Sequence, residues 1–269
     1  QLELKEGKKF FVESKDQKIK LTGSFTDVCE KSPLPLITAI MKSIWPQNGQ
    51  AFQLTVDSES PQGAGMGGSS SLAISTCLCL SEAALSLGYR ENALSEKEAV
   101  SLAGDIEAKL IHTPTGIQDY WAAIRGGINI ISYDSGNTVV DTFSLSSEMN
   151  DYMLLCFSGQ SRQSAINNWQ VFKQVFDHDK KMIDHLNQIG FFAENCAEQL
   201  KKNNIWQALC ASKDEWQIRK NIWPGITTFA TEKVEEIAMR HGAFFSRVCG
   251  AGGGGVVAVF CEPDRKKTI

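Results

Sequence analysis

No run of about 18 uninterrupted apolar residues occurs in the chain, and no basic-then-apolar leader opens it. A membrane-spanning helix and a secretory signal are therefore not expected, and a cytoplasmic location is. Positive charge is also in short supply: 27 Lys and Arg stand against 31 Asp and Glu, a net charge of -4. Nucleic acid and membrane are thus not expected as partners, and an anion site would have to be built locally from amides, a metal or a few cations. Histidine is scarce, and His112, His178, His185 and His241 show no spacing that suits zinc. There is no Cys-x-x-Cys pair. The eight cysteines lie inside apolar stretches such as Cys77-Leu78-Cys79 and Leu155-Cys156-Phe157, which reads as reduced core thiols rather than a disulfide framework. Repeats and low-complexity segments are missing too. At 269 residues, 42% hydrophobic and 22% charged, the chain has the makings of a globular protein. Two lobes are expected, residues 1–148 and 149–269.

Short strands are expected over 9–12, 18–21 and 52–56, with a helix over 36–44 between the last two. A long helix is predicted from Ser69 to Leu87, closed by Gly88. A second runs from Ser95 to Ile111, where Ser95 and Glu98 have the spacing of a capping box. The segment His112 to Gly116 breaks it, a short helical turn follows over Gln118 to Ile124, and Gly126-Gly127 leads into a strand at 128–131 and a hairpin near Asp134 to Asn137. A second unit opens with a strand at 152–157, continues through helices to about 242, and closes with strands at 244–248 and 256–260. Trp169, Trp206, Trp216 and Trp223 suit helix cores. The uneven interleaving of strands and helix pairs is an α+β pattern.

The chain spends its glycine freely in one place, Ser60-Pro61-Gln62-Gly63-Ala64-Gly65-Met66-Gly67-Gly68-Ser69-Ser70-Ser71, directly ahead of the long helix. Glycine allows positive φ and close approach of backbone to a ligand. The loop feeds a helix N-terminus, where unpaired N–H groups and the positive end of the dipole collect, so a phosphate is the natural guest. A plain turn is the bland alternative, with Ser70 and Ser71 capping the helix. The dinucleotide pattern Gly63-x-Gly65-x-x-Gly68 lacks its acidic residue on a following strand, since the chain is still helical at Glu82. The P-loop pattern fails because no lysine follows Gly68.

This signature, Pro61-x-Gly63-x-Gly65-Met66-Gly67-Gly68-Ser69-Ser70-Ser71, resembles the central motif of the GHMP small-molecule kinases (galacto-, homoserine, mevalonate and phosphomevalonate kinases), with Met66 where Leu is usual. A second glycine run, Arg247-Val248-Cys249-Gly250-Ala251-Gly252-Gly253-Gly254-Gly255, is similar to their C-terminal motif. Gly116-Ile117-Gln118-Asp119-Tyr120 looks most like the D-glycero-D-manno-heptose-phosphate kinase and sugar kinase branch. The resemblance implies an α+β, two-lobed fold with a ribosomal-protein-S5-like N-terminal lobe and a ferredoxin-like C-terminal lobe. It also implies an ATP-dependent kinase acting on a hydroxyl of a sugar or sugar phosphate. ATP would be cradled by Pro61, Gly63, Ala64, Gly65, Met66, Gly67, Gly68, Ser69, Ser70 and Ser71, with Mg2+ on Ser69 and Glu107. Asp119 would be the base, or the residue that orients the acceptor, since an ordinary aspartate pKa of about 3.9 makes a poor base unaided.

The resemblance offers Arg162, Gly252 and Gly253, beside Asp119, as acceptor contacts. Arg162 lies in Ser158-Gly159-Gln160-Ser161-Arg162-Gln163-Ser164, which resembles a Thr-Gly-x-x-Arg-x-Ser stretch of the heptose-kinase branch and could grip a phosphate bidentately. A surface arginine capping the next helix is the equal alternative. Gly23-Ser24-Phe25-Thr26-Asp27 imitates an early sugar-contacting motif of the family but lacks its arginine and sits too near the glycine loop, so the motif itself is expected upstream of Gln1. Tyr120, where many sugar kinases have Gln, and Arg125, in a usually apolar place, depart from the branch pattern. A mevalonate- or homoserine-type kinase is the runner-up, and a catalytically silent nucleotide or sugar sensor the rival from another class. Oligomeric state is not indicated by the sequence.

Overall fold

The computed structural model describes residues 1–30, 32–61, 63–134, 137–144, 147–161, 166–222 and 225–269, with backbone alone at 147–148 and 166–168. The chain divides into two compact units, Gln1–Pro61 with Gly67–Gly126, and Gln62–Met66 with Gly127–Ile269.

The first unit is a four-stranded sheet with helices. Its strands are β1 (Leu2–Leu4), β2 (Phe10–Ser14), β3 (Ile19–Gly23) and β4 (Phe52–Val56), in the order β1-β4-β2-β3. β2 runs parallel to β4, while the pairings β1 with β4 and β2 with β3 are antiparallel. Alternation drives the core face: Phe10 and Val12 on β2 and Phe52, Leu54 and Val56 on β4 are buried. The Phe10 and Phe52 rings meet edge to face at 5.1 Å. α1 (Phe25–Cys29) is short, and α2 (Pro35–Ile44) starts on a proline whose fixed φ suits a first helical turn. α3 (Gly68–Ser86), α4 (Glu96–Ile111) and α5 (Gln118–Arg125) complete the unit. α3 buries Ala73, Ile74, Cys77, Leu80 and Ala84 at helical spacing and packs against α2, α4 and α5.

In the second unit the hairpin β5 (Ile128–Asp134) and β6 (Asn137–Phe143) precedes a three-stranded antiparallel sheet of β7 (Met153–Phe157), β8 (Phe245–Val248) and β9 (Val256–Phe260), ordered β7-β9-β8. Between β7 and β8 run α6 (Ile166–Phe176), α7 (Lys180–Lys201), α8 (Ile205–Lys220) and α9 (Phe229–Arg240). Trp216, Ile226, Ala238, Val248, Val257 and Val259 form one core cluster, and Ile205, Leu209, Phe245, Ala258 and Phe260 another. The fold is α+β, as expected. No helix among the described residues is long and apolar enough to cross a membrane.

Several local expectations change. Trp216 is buried, and Trp206 packs its ring 4.4 Å from that of Phe244, but Trp169 is 54% exposed, so α6 turns that side chain outward. Trp223 lies outside the described residues. All eight cysteines are free thiols. Cys29, Cys77 and Cys261 are buried, whereas Cys156, on an edge strand, is exposed rather than in a core. The Gly23-to-Asp27 stretch is the entrance to α1. The Ser24 hydroxyl accepts from the Asp27 N–H, and the Asp27 carboxylate accepts from the Ser24 N–H in return. A capping box thus accounts for the residues that imitate a sugar-contacting motif.

Candidate active site

α3 begins without a conventional cap. Its N-cap is Gly67 at φ 69°, ψ 21°, a residue with no side chain to cap the helix. The three serines do not cap it: Ser69 and Ser71 follow inside the first turn, exposed, and Ser70 is buried. The bland reading of the loop, a turn closed by serine caps, therefore lacks those caps, and the positive end of the helix dipole faces the loop.

Two carboxylates stand at this helix mouth. Asp119, in the first turn of α5, packs directly on Gly67: a Cβ placed on that glycine would lie 3.3 Å from the Asp119 Cβ and 3.4 Å from its carboxyl carbon. Glu107, in the C-terminal half of α4, accepts a hydrogen bond at Oε1 from the Ser69 hydroxyl at 2.8 Å. It accepts a second, at Oε2, from the phenol of Tyr120, which is fully buried. Thr115 Oγ1 lies 3.5 Å from the same phenol. Burial, then the bond to Glu107, pushes the Tyr120 phenol well above its ordinary value, so it stays protonated and remains a donor.

Adjacent residues on α5 point about 100° apart, which lets Asp119 face the glycine loop while Tyr120 faces α4. Arg125 at the other end of α5 pairs with Glu96 at 2.6 Å and stacks over Trp121 at 5.0 Å, so the residue that departs from the branch pattern ties α5 to the start of α4. No sequence pattern links Tyr120 to Glu107: the residues are 13 apart on separate helices, and only the departure from Gln at 120 distinguishes the position.

The first half of the glycine loop does a different job. Val256 donates its N–H to the Ala64 carbonyl at 2.7 Å, and a Cβ on Gly255, at φ 84°, would sit 2.4 Å from that oxygen. Ala64 is thus buried against the second glycine run. Gly63 and Gly65 take positive φ on either side of it, and Met66 is 43% exposed. Pro61 ends the first unit's leading segment. Gly252 and Gly253 pack on the backbone at 225–226, with the Gly253 N–H donating to the Ile226 carbonyl at 2.8 Å. Arg162 lies outside the described residues.

Could these side chains hold a metal? Ser69 Oγ and Glu107 Oε1 are two hard oxygens in contact, and among the described residues no group of three or more His, Cys, Asp and Glu is gathered for a metal. One carboxylate and one hydroxyl fit an ion that takes its remaining ligands from water and phosphate, which is the habit of magnesium.

The sequence matches the family model described as GHMP kinases N terminal domain over residues 35–127, a span that holds Gly67, Ser69, Glu107 and Asp119, and that of GHMP kinases C terminal over residues 224–269. It is 25% identical over 230 residues to D-glycero-alpha-D-manno-heptose 7-phosphate kinase of Campylobacter jejuni, covering 81% of this chain and 64% of that protein. The chain thus spans a little under two thirds of that relative's length. Among solved structures, galactokinase of Lactococcus lactis in complex with galactose superposes with a TM-score of 0.77 at 15% identity, over 99% of this chain and 78% of the other. A D-glycero-D-manno-heptose 1-phosphate kinase from Bacteroides thetaiotaomicron gives 0.72 at 18% identity, over 99% and 76%. With the N- and C-terminal models both matched, together over just more than half of its length, the chain belongs to the GHMP kinase family.

Proposed function

We propose that this chain is an ATP-dependent kinase that transfers the γ-phosphoryl group to a hydroxyl of a sugar or sugar phosphate, with a heptose-phosphate-like acceptor favoured. One observation carries the reading: at the glycine-capped start of α3, the Ser69 hydroxyl meets Glu107 at 2.8 Å while Asp119 packs on the neighbouring Gly67. A helix N-terminus whose dipole favours an anion, a hard-oxygen pair and a second carboxylate within one turn answer to the three things that phosphoryl transfer asks of a protein.

In this reading the N–H groups of Gly67 to Ser70 hold the phosphates, since the Ser71 N–H is already bonded to the Gly67 carbonyl. Ser69 and Glu107 hold Mg2+, which when bound neutralises charge on the phosphate oxygens. Asp119 accepts a hydrogen bond from the acceptor hydroxyl and aims its oxygen at the γ-phosphorus. As the new O–P bond forms, the bond from phosphorus to the bridging oxygen breaks, ADP leaves with the electron pair, and the hydroxyl proton passes to the Asp119 carboxylate and on to water. The names of the heptose kinases among the relatives support the acceptor class. A silent sensor has no use for both carboxylates at the helix mouth, which counts against that alternative.

The test is a coupled ADP-release screen of the full chain against hexoses, heptoses, heptose phosphates, mevalonate and homoserine. A sugar or heptose phosphate should give the highest kcat/KM, and Asp119→Asn should lower kcat about 100-fold or more while ATP still raises the melting temperature. Turnover confined to mevalonate or homoserine would transfer the acceptor assignment to the runner-up. A nucleotide-dependent melting shift without ADP from any acceptor would make the chain a sensor.

A further inference from the structure

Resting on the reading of Glu107 as the metal-holding carboxylate, we infer that Tyr120 is a positioning residue, whose buried phenol fixes Glu107 so that a single oxygen, Oε1, is presented beside Ser69. A glutamate on a helix surface has three rotatable bonds and two equivalent oxygens. Unrestrained, it would swing between presenting one oxygen and presenting both. Here each oxygen has its own donor, Ser69 on Oε1 and Tyr120 on Oε2. The two donors are unlike in exposure: the Ser69 bond is at the surface, whereas Tyr120 is fully buried. The phenol is therefore the fixed anchor, and the oxygen on the Ser69 side is the one open to an incoming ion.

That arrangement suits a small cation that demands near-octahedral geometry and prefers one oxygen per carboxylate. It also gives residues 119 and 120 complementary tasks on one turn of α5, since the backbone that aims Asp119 at Gly67 simultaneously sets the phenol under Glu107. Partners of metal-holding groups commonly change metal affinity or activity by 10–100-fold when removed.

Tyr120→Phe keeps the ring and removes only the donor. Mn2+ binding in the presence of ADP, followed by electron paramagnetic resonance of the free ion, reads the metal directly and needs no turnover. Alongside it, the Mg2+ concentration for half-maximal ADP release and the melting temperature of the nucleotide-free chain are measured. A Mn2+ Kd raised about 10-fold or more is expected. The half-maximal Mg2+ should rise with it, and kcat should be largely restored at saturating Mg2+. In a double-mutant cycle, Tyr120→Phe should add little to Glu107→Asp, whose shortened side chain has already left the phenol. Introducing 4-aminophenylalanine at 120, which restores a donor, should recover most of the affinity. If Tyr120→Phe does not fold, 4-fluorophenylalanine, closer to tyrosine in shape, takes its place. A Mn2+ Kd within twofold of the parent, with only the melting temperature lowered, would make Tyr120 a structural hydroxyl and overturn the inference. If Glu107→Gln also left Mn2+ binding unchanged, the metal-holding role of Glu107 would fall as well, so the two failures are told apart.

Discussion

At the scale of single residues, Gly67 carries the most geometry. Its φ of 69° lies where an L side chain pays about 1–2 kcal/mol, and the space a Cβ would enter is already filled by Asp119 at 3.3 Å. Alanine at 67 should therefore act twice, through backbone strain and by pushing the carboxyl off the helix mouth. We expect Gly67→Ala to lower stability by about 1–2 kcal/mol and to reduce kcat more than 10-fold, a loss a simple strain effect would not produce in protein that remains folded. Thermal melts and steady-state kinetics on the same preparation separate the two, and an unchanged kcat would show that Asp119 tolerates displacement. Gly255 illustrates a different constraint, since its missing side chain is what admits the Ala64 carbonyl.

At the scale of elements, the helices that build the helix mouth were legible because their ends are written in local chemistry. The Ser95 hydroxyl accepts from the Glu98 N–H at 3.3 Å and the Glu98 carboxylate accepts from the Ser95 N–H at 2.8 Å, as that spacing predicted. Gly88 follows α3 at φ 70° as a glycine terminator should. Ser95→Ala should cost about 1 kcal/mol and lower the melting temperature by about 2–4 °C. Glu107 lies three turns further along α4, so kcat and the Mg2+ requirement should not move. A changed metal requirement would mean that fraying at the start of α4 reaches Glu107. What stayed hidden in the sequence depends on pairing at a distance. β1 and α1 are three and five residues long, too short for a period to declare itself. The register that joins Leu2 to Leu54 is written in neither strand alone. The outward turn of Trp169 is not written in composition, which places an aromatic on an amphipathic helix without saying which face is covered. The glycine loop, Glu107 and Asp119 could be picked out one at a time, but not their mutual distances, and not the phenol of Tyr120 beneath them.

At the scale of the whole molecule, the titrating groups bound the pH range in which the fold is strongest. On the alkaline side several thiols are buried: desolvation pushes Cys77 up to about 12 from an ordinary 9.0, and raises Cys29, Cys79, Cys196 and Cys261 as well. Tyr120 is raised too, by burial and by its bond to Glu107. The direction of linkage follows from proton counting. Above about pH 9 the unfolded chain releases thiol protons that the folded chain retains, so the unfolded state binds fewer protons and stability declines as pH rises. For Cys77 the decline spans pH 9 to about 12, at up to about 1.4 kcal/mol per pH unit. Below that window these thiols are protonated in both states and contribute no slope. The melting temperature is therefore expected to change little from pH 7 to 8.5 and to fall steadily from pH 9 to 11. Cys77→Ala should flatten the decline, whatever it costs at neutral pH by shaving a buried side chain. Exposed Cys156 provides the internal contrast: it should react with a thiol reagent in the native state at pH 8, while Cys77 reacts only as the chain unfolds. A melting temperature that holds constant to pH 11, or a slope indifferent to Cys77→Ala, would mean that this thiol reaches water in the native protein and that the interior of α3 is looser than its packing against α2, α4 and α5 implies.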